Sequence, residues 1–234
     1  MEKYLQETPI VDFDHVDIRM LVHVRGWNLL TISERIANTY NFVKDEIKFG
    51  YNARDDVSAS QVLKDGYGQC NTKGSLLMAL LRALKIPCRF HGFTINKSLQ
   101  QGAIPNWLIP LTPQYILHSW VEVLFNGQWI NLEGFILDKQ YLNAIQNKFS
   151  NINGSFCGYG IATKCLVAPQ VEWKETDTYI QKEGIHQDFG IFDSPDDFYK
   201  KYGVNLSGVK RMLYQFMIRH LINLNVKRLR LRRI

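Results

Sequence analysis

A mixed fold of helices and antiparallel strands follows from three features of the chain. An apolar run at helical spacing, Leu76, Leu77, Leu80, Leu81 and Leu84, begins directly after Cys70 and stops before Pro87. Two β-rich segments, 118–125 and 128–133, flank Asn126-Gly127, the strongest short hairpin signal available. Amphipathic helical patterns lie on either side of this centre, at 31–47 and from about Ser207 onward.

The elements can be justified in order. Residues 1–30 show no clear period, and Gly26-Trp27-Asn28 reads as a turn. Thr31-Ile32-Ser33-Glu34 is a capping box, with threonine at the cap and glutamate three residues on. Ile36, Tyr40, Val43 and Ile47 then mark one helix face. Residues 55–60 form a loop that caps a short helix over Ser60–Leu63, and Gly66-Tyr67-Gly68-Gln69 leads into the helix that Cys70 opens. That helix carries only Lys73, Arg82 and Lys85 as charges, so it is expected to be central and largely buried. Pro87 to Ile95 alternates as a strand does. Segment 96–117, with Pro105, Pro110 and Pro113, reads as a long excursion, either a lid or an insertion. After the hairpin, 141–150 is helical and 151–172 holds one or two strands. Ser194-Pro195-Asp196-Asp197 starts a short helix that Gly203 ends. The last helix carries Met212, Leu213, Phe216, Met217, Leu221 and Leu224.

Composition narrows the classes. The chain has 234 residues, 46% of them hydrophobic and 21% charged, as an ordinary globular protein does. That length accommodates one large domain or two small ones. No apolar run approaches the roughly 18 residues of a membrane span, and the N-terminus lacks the basic start and apolar middle of a signal peptide. A cytoplasmic location is therefore expected. The net charge of +6 is local: Lys227, Arg228, Arg230, Arg232 and Arg233 carry five of it, which leaves +1 for residues 1–226. A basic tail over 227–234 is read as solvated, with contact to an anionic surface as a minor alternative, and no nucleic-acid partner is favoured. Cys70, Cys88, Cys157 and Cys165 show neither a CxxC pair nor zinc-site spacing. No metal or cofactor is called for; the last three are read as buried, reduced thiols, with a Cys157–Cys165 pairing or a metal shared with a distant partner as the alternative.

Cys70 is different because of its position. A cysteine where a glycine-rich turn becomes a buried helix gains thiolate stabilisation from the helix N-terminus. His118 heads the first hairpin strand. A two-residue turn pairs Phe125 with Gln128, which puts Glu133 opposite Trp120. His118 and Trp120 share a face, so Glu133 becomes a diagonal neighbour of His118, within reach of the imidazole. This is how a carboxylate fixes the tautomer of a histidine base. Each residue also has a structural reading: a packed thiol, a polar strand residue, a strand-ending glutamate. Their coincidence favours a nucleophile, its base and an orienting acid.

These residues also carry a family resemblance. Asp56, Ala59, Val62-Leu63, Gly66-Tyr67-Gly68-Gln69-Cys70 and Leu80-Leu81-Arg82-Ala83-Leu84-Lys85-Ile86-Pro87-Cys88-Arg89 resemble the core of the transglutaminase-like superfamily, in its small microbial type. His118-Ser119-Trp120-Val121-Glu122-Val123 and Gly127-Gln128-Trp129-Ile130-Asn131-Leu132-Glu133 resemble its second conserved block, so the likeness covers about residues 32–137. The resemblance implies an α+β, papain-like fold whose cysteine helix packs on an antiparallel sheet. It also implies Cys70 as nucleophile, His118 as base and Glu133 as orienting acid. The family usually has Asp-Pro where this chain has Glu133-Gly134, which keeps Asp138 as a second candidate. Asn71 stands where animal protein-crosslinking members have tryptophan.

The expected organisation is a single domain over 1–226, with a core at about 32–172 and a helical extension at about 190–226. The expected function is a thiol enzyme that cleaves or transfers an acyl group from a peptide or amide substrate. A peptidase or amidase is favoured over a crosslinker, and an arylamine-acetyltransferase-like transfer matches less well. The alternative of another class is a scaffold that kept the fold and lost the chemistry.

Overall fold

The computed structural model describes residues 1–206 and 208–231. Helix α1 spans Val16–Val24, α2 spans Ile32–Asp45, and the two-residue strand β1 is Lys48–Phe49. Helix α3 (Ala59–Asp65), strand β2 (Tyr67–Gly68) and helix α4 (Cys70–Ala83) follow. Strands β3 (Cys88–Asn96), β4 (Tyr115–Phe125) and β5 (Gln128–Leu132) come next, then helix α5 (Lys139–Lys148). The short strands β6 (Phe156–Gly158) and β7 (Ile161–Thr163) precede β8 (Ile185–Phe192). Helix α6 is Pro195–Tyr202, and α7 (Gly208–Leu213) and α8 (Arg219–Leu231) are joined by a π-helical turn over Tyr214–Ile218.

The architecture is the expected one: α4 lies against an antiparallel sheet of order β5-β4-β3-β8. Every α4 residue from Cys70 to Arg82 is buried. Each fully buried leucine there contributes roughly 1.5–3 kcal/mol of apolar transfer. Arg82 is buried as well, but its guanidinium donates to the carbonyls of Gln6, Cys88 and Asp193. One core of buried residues runs from Ile10 to Leu229.

The start of α4 is set by glycines of two kinds. Gly66 ends α3 at φ +70°, a conformation that side chains rarely adopt. A Cβ on Gly68 would come within 2.7 Å of Thr72 Oγ1 and 2.9 Å of Lys73 Cγ, so its missing side chain lets β2 lie against the first turn of α4. The Thr31–Glu34 capping box starts α2, and its face of Ile36, Tyr40 and Val43 is buried with Ile47 beyond it. Asn126 (φ 49°) and Gly127 (φ 79°) turn the hairpin, and the ladder runs from Phe125↔Gln128 to Val121↔Leu132 in the expected register.

Several expectations need correction. Helix α1 was not legible because it buries only Ile18 and Val22 and leaves Val16, Met20 and Val24 exposed. Strand β4 begins at Tyr115, three residues inside the expected excursion. The rest of that excursion holds 3-10 turns at Lys97–Gln100 and Ile109–Leu111, with Leu99, Ile104 and Leu108 packed inward. Strand β8 was also missed: it is a largely exposed edge strand whose pairing with β3 shifts register twice, so it carries no alternation. The C-terminal helix buries Ile222, Val226 and Leu229, whereas Phe216 is 77% exposed and Met212, Met217 and Leu224 are exposed too. The basic segment is not simply a solvated tail. Lys227, Arg228 and Arg230 belong to α8, and Arg230 pairs with Asp138 at 2.7 Å; Arg232 and Arg233 lie outside the described residues. Cys88 is a buried thiol as expected, but Cys157 is exposed and Cys165 half-buried.

No helix among the described residues is long and apolar enough to cross a membrane.

Candidate active site

Cys70 is the first residue of α4, and only 8% of its surface is exposed. Asn71 holds its surroundings together. The Cys70 thiol donates to Asn71 Oδ1 at 3.6 Å, and Ser119 Oγ donates to the same oxygen at 2.8 Å. Asn71 Nδ2 donates to the Leu117 carbonyl at 3.1 Å. The residue after the cysteine thus ties α4 to β4 on both sides of His118. A buried asparagine directly after a candidate nucleophile is the sequence signal for this, although spacing alone attached no role to it.

His118 is fully buried in β4, with Nε2 2.9 Å from Glu133 Oε1. The hairpin register delivers this contact, though Glu133 has left the ladder. Its backbone N–H donates to the Thr178 carbonyl at 3.1 Å, the start of a separate bridge between the hairpin and residues 178–182. Glu133 Oε2 accepts three consecutive backbone N–H groups, from Ile180 (2.8 Å), Gln181 (2.9 Å) and Lys182 (3.1 Å). Glu133 is buried, and these bonds replace the water a carboxylate loses there. Nothing in the spacing pointed to residues 180–182, because they act through backbone that any sequence carries.

Asp138 is engaged elsewhere. It caps α5 through the Tyr141 N–H at 3.0 Å, accepts the Phe49 N–H at 2.9 Å and pairs with Arg230. Burial alone would raise its pKa, but the Arg230 hydrogen bond and charge hold the carboxyl below its ordinary range. Of the two candidate carboxylates, only Glu133 bonds His118.

Electrostatics tie the histidine to the cysteine. Burial works against an imidazolium at His118, but the neighbouring Cys70 sulfur, followed by Glu133, outweighs it and pushes the pKa up to about 9. His118 Nδ1 has no hydrogen-bond partner among the described residues. At neutral pH the imidazole therefore stands protonated between a sulfur and a carboxylate. Such a group can supply a proton to a leaving atom and recover it from water. Among the described residues, no group of three or more His, Cys, Asp or Glu side chains could hold a metal ion.

The family model described as the transglutaminase-like superfamily matches residues 26–134, a span just under half the chain that encloses Cys70, His118 and Glu133. The matched span holds helix α4 and the hairpin β4-β5, while the flanks of the chain lie outside it. No curated protein matches the sequence. Among solved structures, a "Putative Cysteine Protease" from Cytophaga hutchinsonii is similar at 14% identity with a TM-score of 0.47, over 83% of this chain and 47% of that one. This chain thus spans about half the length of that protein.

Proposed function

We propose that this protein is a thiol hydrolase that cleaves peptide or amide bonds through an acyl intermediate on Cys70. The observation that carries the reading is the state of His118, whose Nε2 bonds Glu133, whose buried Nδ1 has no hydrogen-bond partner among the described residues, and whose pKa the Cys70 sulfur raises. The Cys70 sulfur attacks the carbonyl carbon and the S–C bond forms. His118 gives its proton to the leaving nitrogen as the C–N bond breaks. Water then attacks the thioester and loses a proton to His118 as the S–C bond breaks, which releases the acid and returns Cys70 and His118 to their starting state. The Cys70 backbone N–H, at the free N-terminal end of α4, is a donor for the oxyanion. Glu133 holds the imidazole tautomer throughout.

Hydrolysis is favoured over transfer because the cysteine is followed by Asn71, where crosslinking members carry tryptophan, so the resemblance to them fails beside the nucleophile. A cytoplasmic setting fits the reading, since all four cysteines are unpaired and a reducing compartment keeps thiols free.

Alkylation with limiting iodoacetamide at pH 7, resolved by peptide mass spectrometry, tests the nucleophile. Exposed Cys157 serves as the ordinary thiol within the same chain. Cys70 is expected to label faster than Cys157 despite its burial, and His118→Ala is expected to remove that advantage. A Cys70 that labels no faster than Cys157 sinks the assignment.

A further inference from the structure

A cavity of about 200 Å³ includes Cys70 in its wall. Its sides are Ile95, Ile104 and Leu117, and the C-terminal helix covers it with Tyr214, Ile218 and Ile222. An apolar cavity of about 150 Å³ already takes a benzene ring, so this one has room for a large apolar side chain. His118 is not among its lining residues. During acyl transfer the acyl carbon stays bonded to sulfur while the leaving group collects its proton from His118. The cavity therefore lies on the acyl side of the scissile bond.

The buried polar groups around this space are turned onto one another, whereas Lys210 and Arg211, which also line it, are not buried. Asp55 accepts from Gln69 Nε2 at 3.1 Å and from Asn205 Nδ2 at 2.8 Å, and the Tyr51 hydroxyl donates to Gln100 Oε1. A carboxamide on the substrate, set against these paired groups, would lose its water there with little in exchange. One wall residue differs. Gln181 is 1% exposed, its Nε2 donates to the Gly160 carbonyl at 2.6 Å, and its Oε1 has no partner among the described residues. That donation fixes the amide orientation and leaves a buried acceptor.

We infer that the substrate is a peptide whose residue before the scissile bond carries a large apolar side chain, held in this cavity, with a peptide N–H donated to Gln181 Oε1. This rests on the thiol-hydrolase reading above and adds its specificity. The side chain of glutamine, which would present a carboxamide to these walls, is excluded by the same argument.

The test uses the full chain and p-nitrophenyl esters of N-acetylated Phe, Leu, Ala, Gly and Gln, together with 3-phenylpropanoyl ester, which lacks the N–H. Acylation forms the S–C bond, breaks the C–O bond and releases p-nitrophenolate; the adduct is located by mass spectrometry, with Cys70→Ala as blank. Phe and Leu esters are expected to acylate about 10- to 150-fold faster than the Gly ester, from the transfer energy of a fully buried side chain. Gln181→Met is expected to lower the N-acetyl-phenylalanyl to 3-phenylpropanoyl rate ratio about fivefold. Ile218→Trp, which fills the cavity from its roof, is expected to shift preference towards Ala and Gly. Gly or Gln esters as fast as Phe overturn the apolar assignment, and an unchanged ratio in Gln181→Met overturns the hydrogen bond. No adduct on Cys70 from any ester overturns the hydrolase reading beneath both.

Discussion

Replacing Glu133 by glutamine separates the charge of this side chain from its shape. Three N–H groups from residues 180–182 converge on Oε2, so in the variant the amide oxygen is held there. The amide nitrogen is then directed at His118 Nε2, where wild type has a carboxylate oxygen at 2.9 Å. Donor meets donor unless the imidazole turns Nε2 into an acceptor, which puts the proton on the side facing Cys70. A raised pKa of about 9 at His118, against an ordinary 6.5, amounts to roughly 3 kcal/mol of preference for the imidazolium. Glu133 supplies the smaller share after Cys70. Loss of a charge-assisted hydrogen bond is worth about 1.5–3 kcal/mol. The alkaline limb of the pH profile should therefore move down by about one to two units. The acylation rate should fall by between about 10²- and 10⁴-fold, as expected when the orienting acid of such a triad fixes the wrong tautomer. The assay is the p-nitrophenolate burst from pH 5 to 10, with circular dichroism to check folding. Glu133→Asp keeps the charge but is one methylene short of spanning His118 and the three N–H groups, so an intermediate loss is expected. A folded Glu133→Gln enzyme with the wild-type rate and pH profile would refute the role of the carboxylate.

Two further predictions concern stability. Lys73, fully buried and donating to the carbonyls of Lys44 and Ile136, is driven down to about 7 by burial against the attraction of Asp138 and Asp45. Between about pH 7 and its unfolded value near 10.5 the unfolded chain binds the extra proton, so Lys73 makes stability rise with pH across that window. In Lys73→Met the difference in urea-unfolding free energy between pH 7 and pH 10 should shrink by a few kcal/mol relative to wild type; an unaltered difference counts against a neutral buried lysine. A Cβ on Gly134 would stand 2.5 Å from the Tyr40 hydroxyl and 2.7 Å from the Val171 Cα. Gly134→Ala should cost roughly 1–3 kcal/mol of overpacking and slow acylation as well, because the displaced backbone adjoins Glu133. A lowered melting temperature with an unchanged rate would disconnect that turn from the site.

The helix of Cys70 and the hairpin of His118 were legible because each is governed by local rules. Apolar positions recur along a buried helix, and a two-residue turn fixes which side chains face each other. That counting alone places Glu133 beside His118, where the contact lies. The missing parts come from long-range contacts or from backbone. Strand β8 has no alternation because it is a bulged edge, and the N–H groups of residues 180–182 leave no mark in side-chain identity. Asn71 was visible as a departure from the crosslinking enzymes, but its bonds to Leu117 and Ser119 depend on how α4 meets β4. The C-terminal helix misled in another way. It has more apolar residues than one face needs, and only docking decides that Ile222, Val226 and Leu229 go inward while Phe216 stays out.

The π-helical turn at Tyr214–Ile218 has an evolutionary consequence for that helix. Such a turn is an α-helix with one residue too many. Deleting a single residue there would restore regular winding and rotate everything downstream by about 100°. Ile222 would leave the cavity roof, Asn223 would lose the Tyr51 backbone it bonds in both directions, and Arg230 would swing off Asp138. The roof over Cys70 thus depends on the one extra residue in that turn, and a relative lacking it is expected to have an open pocket.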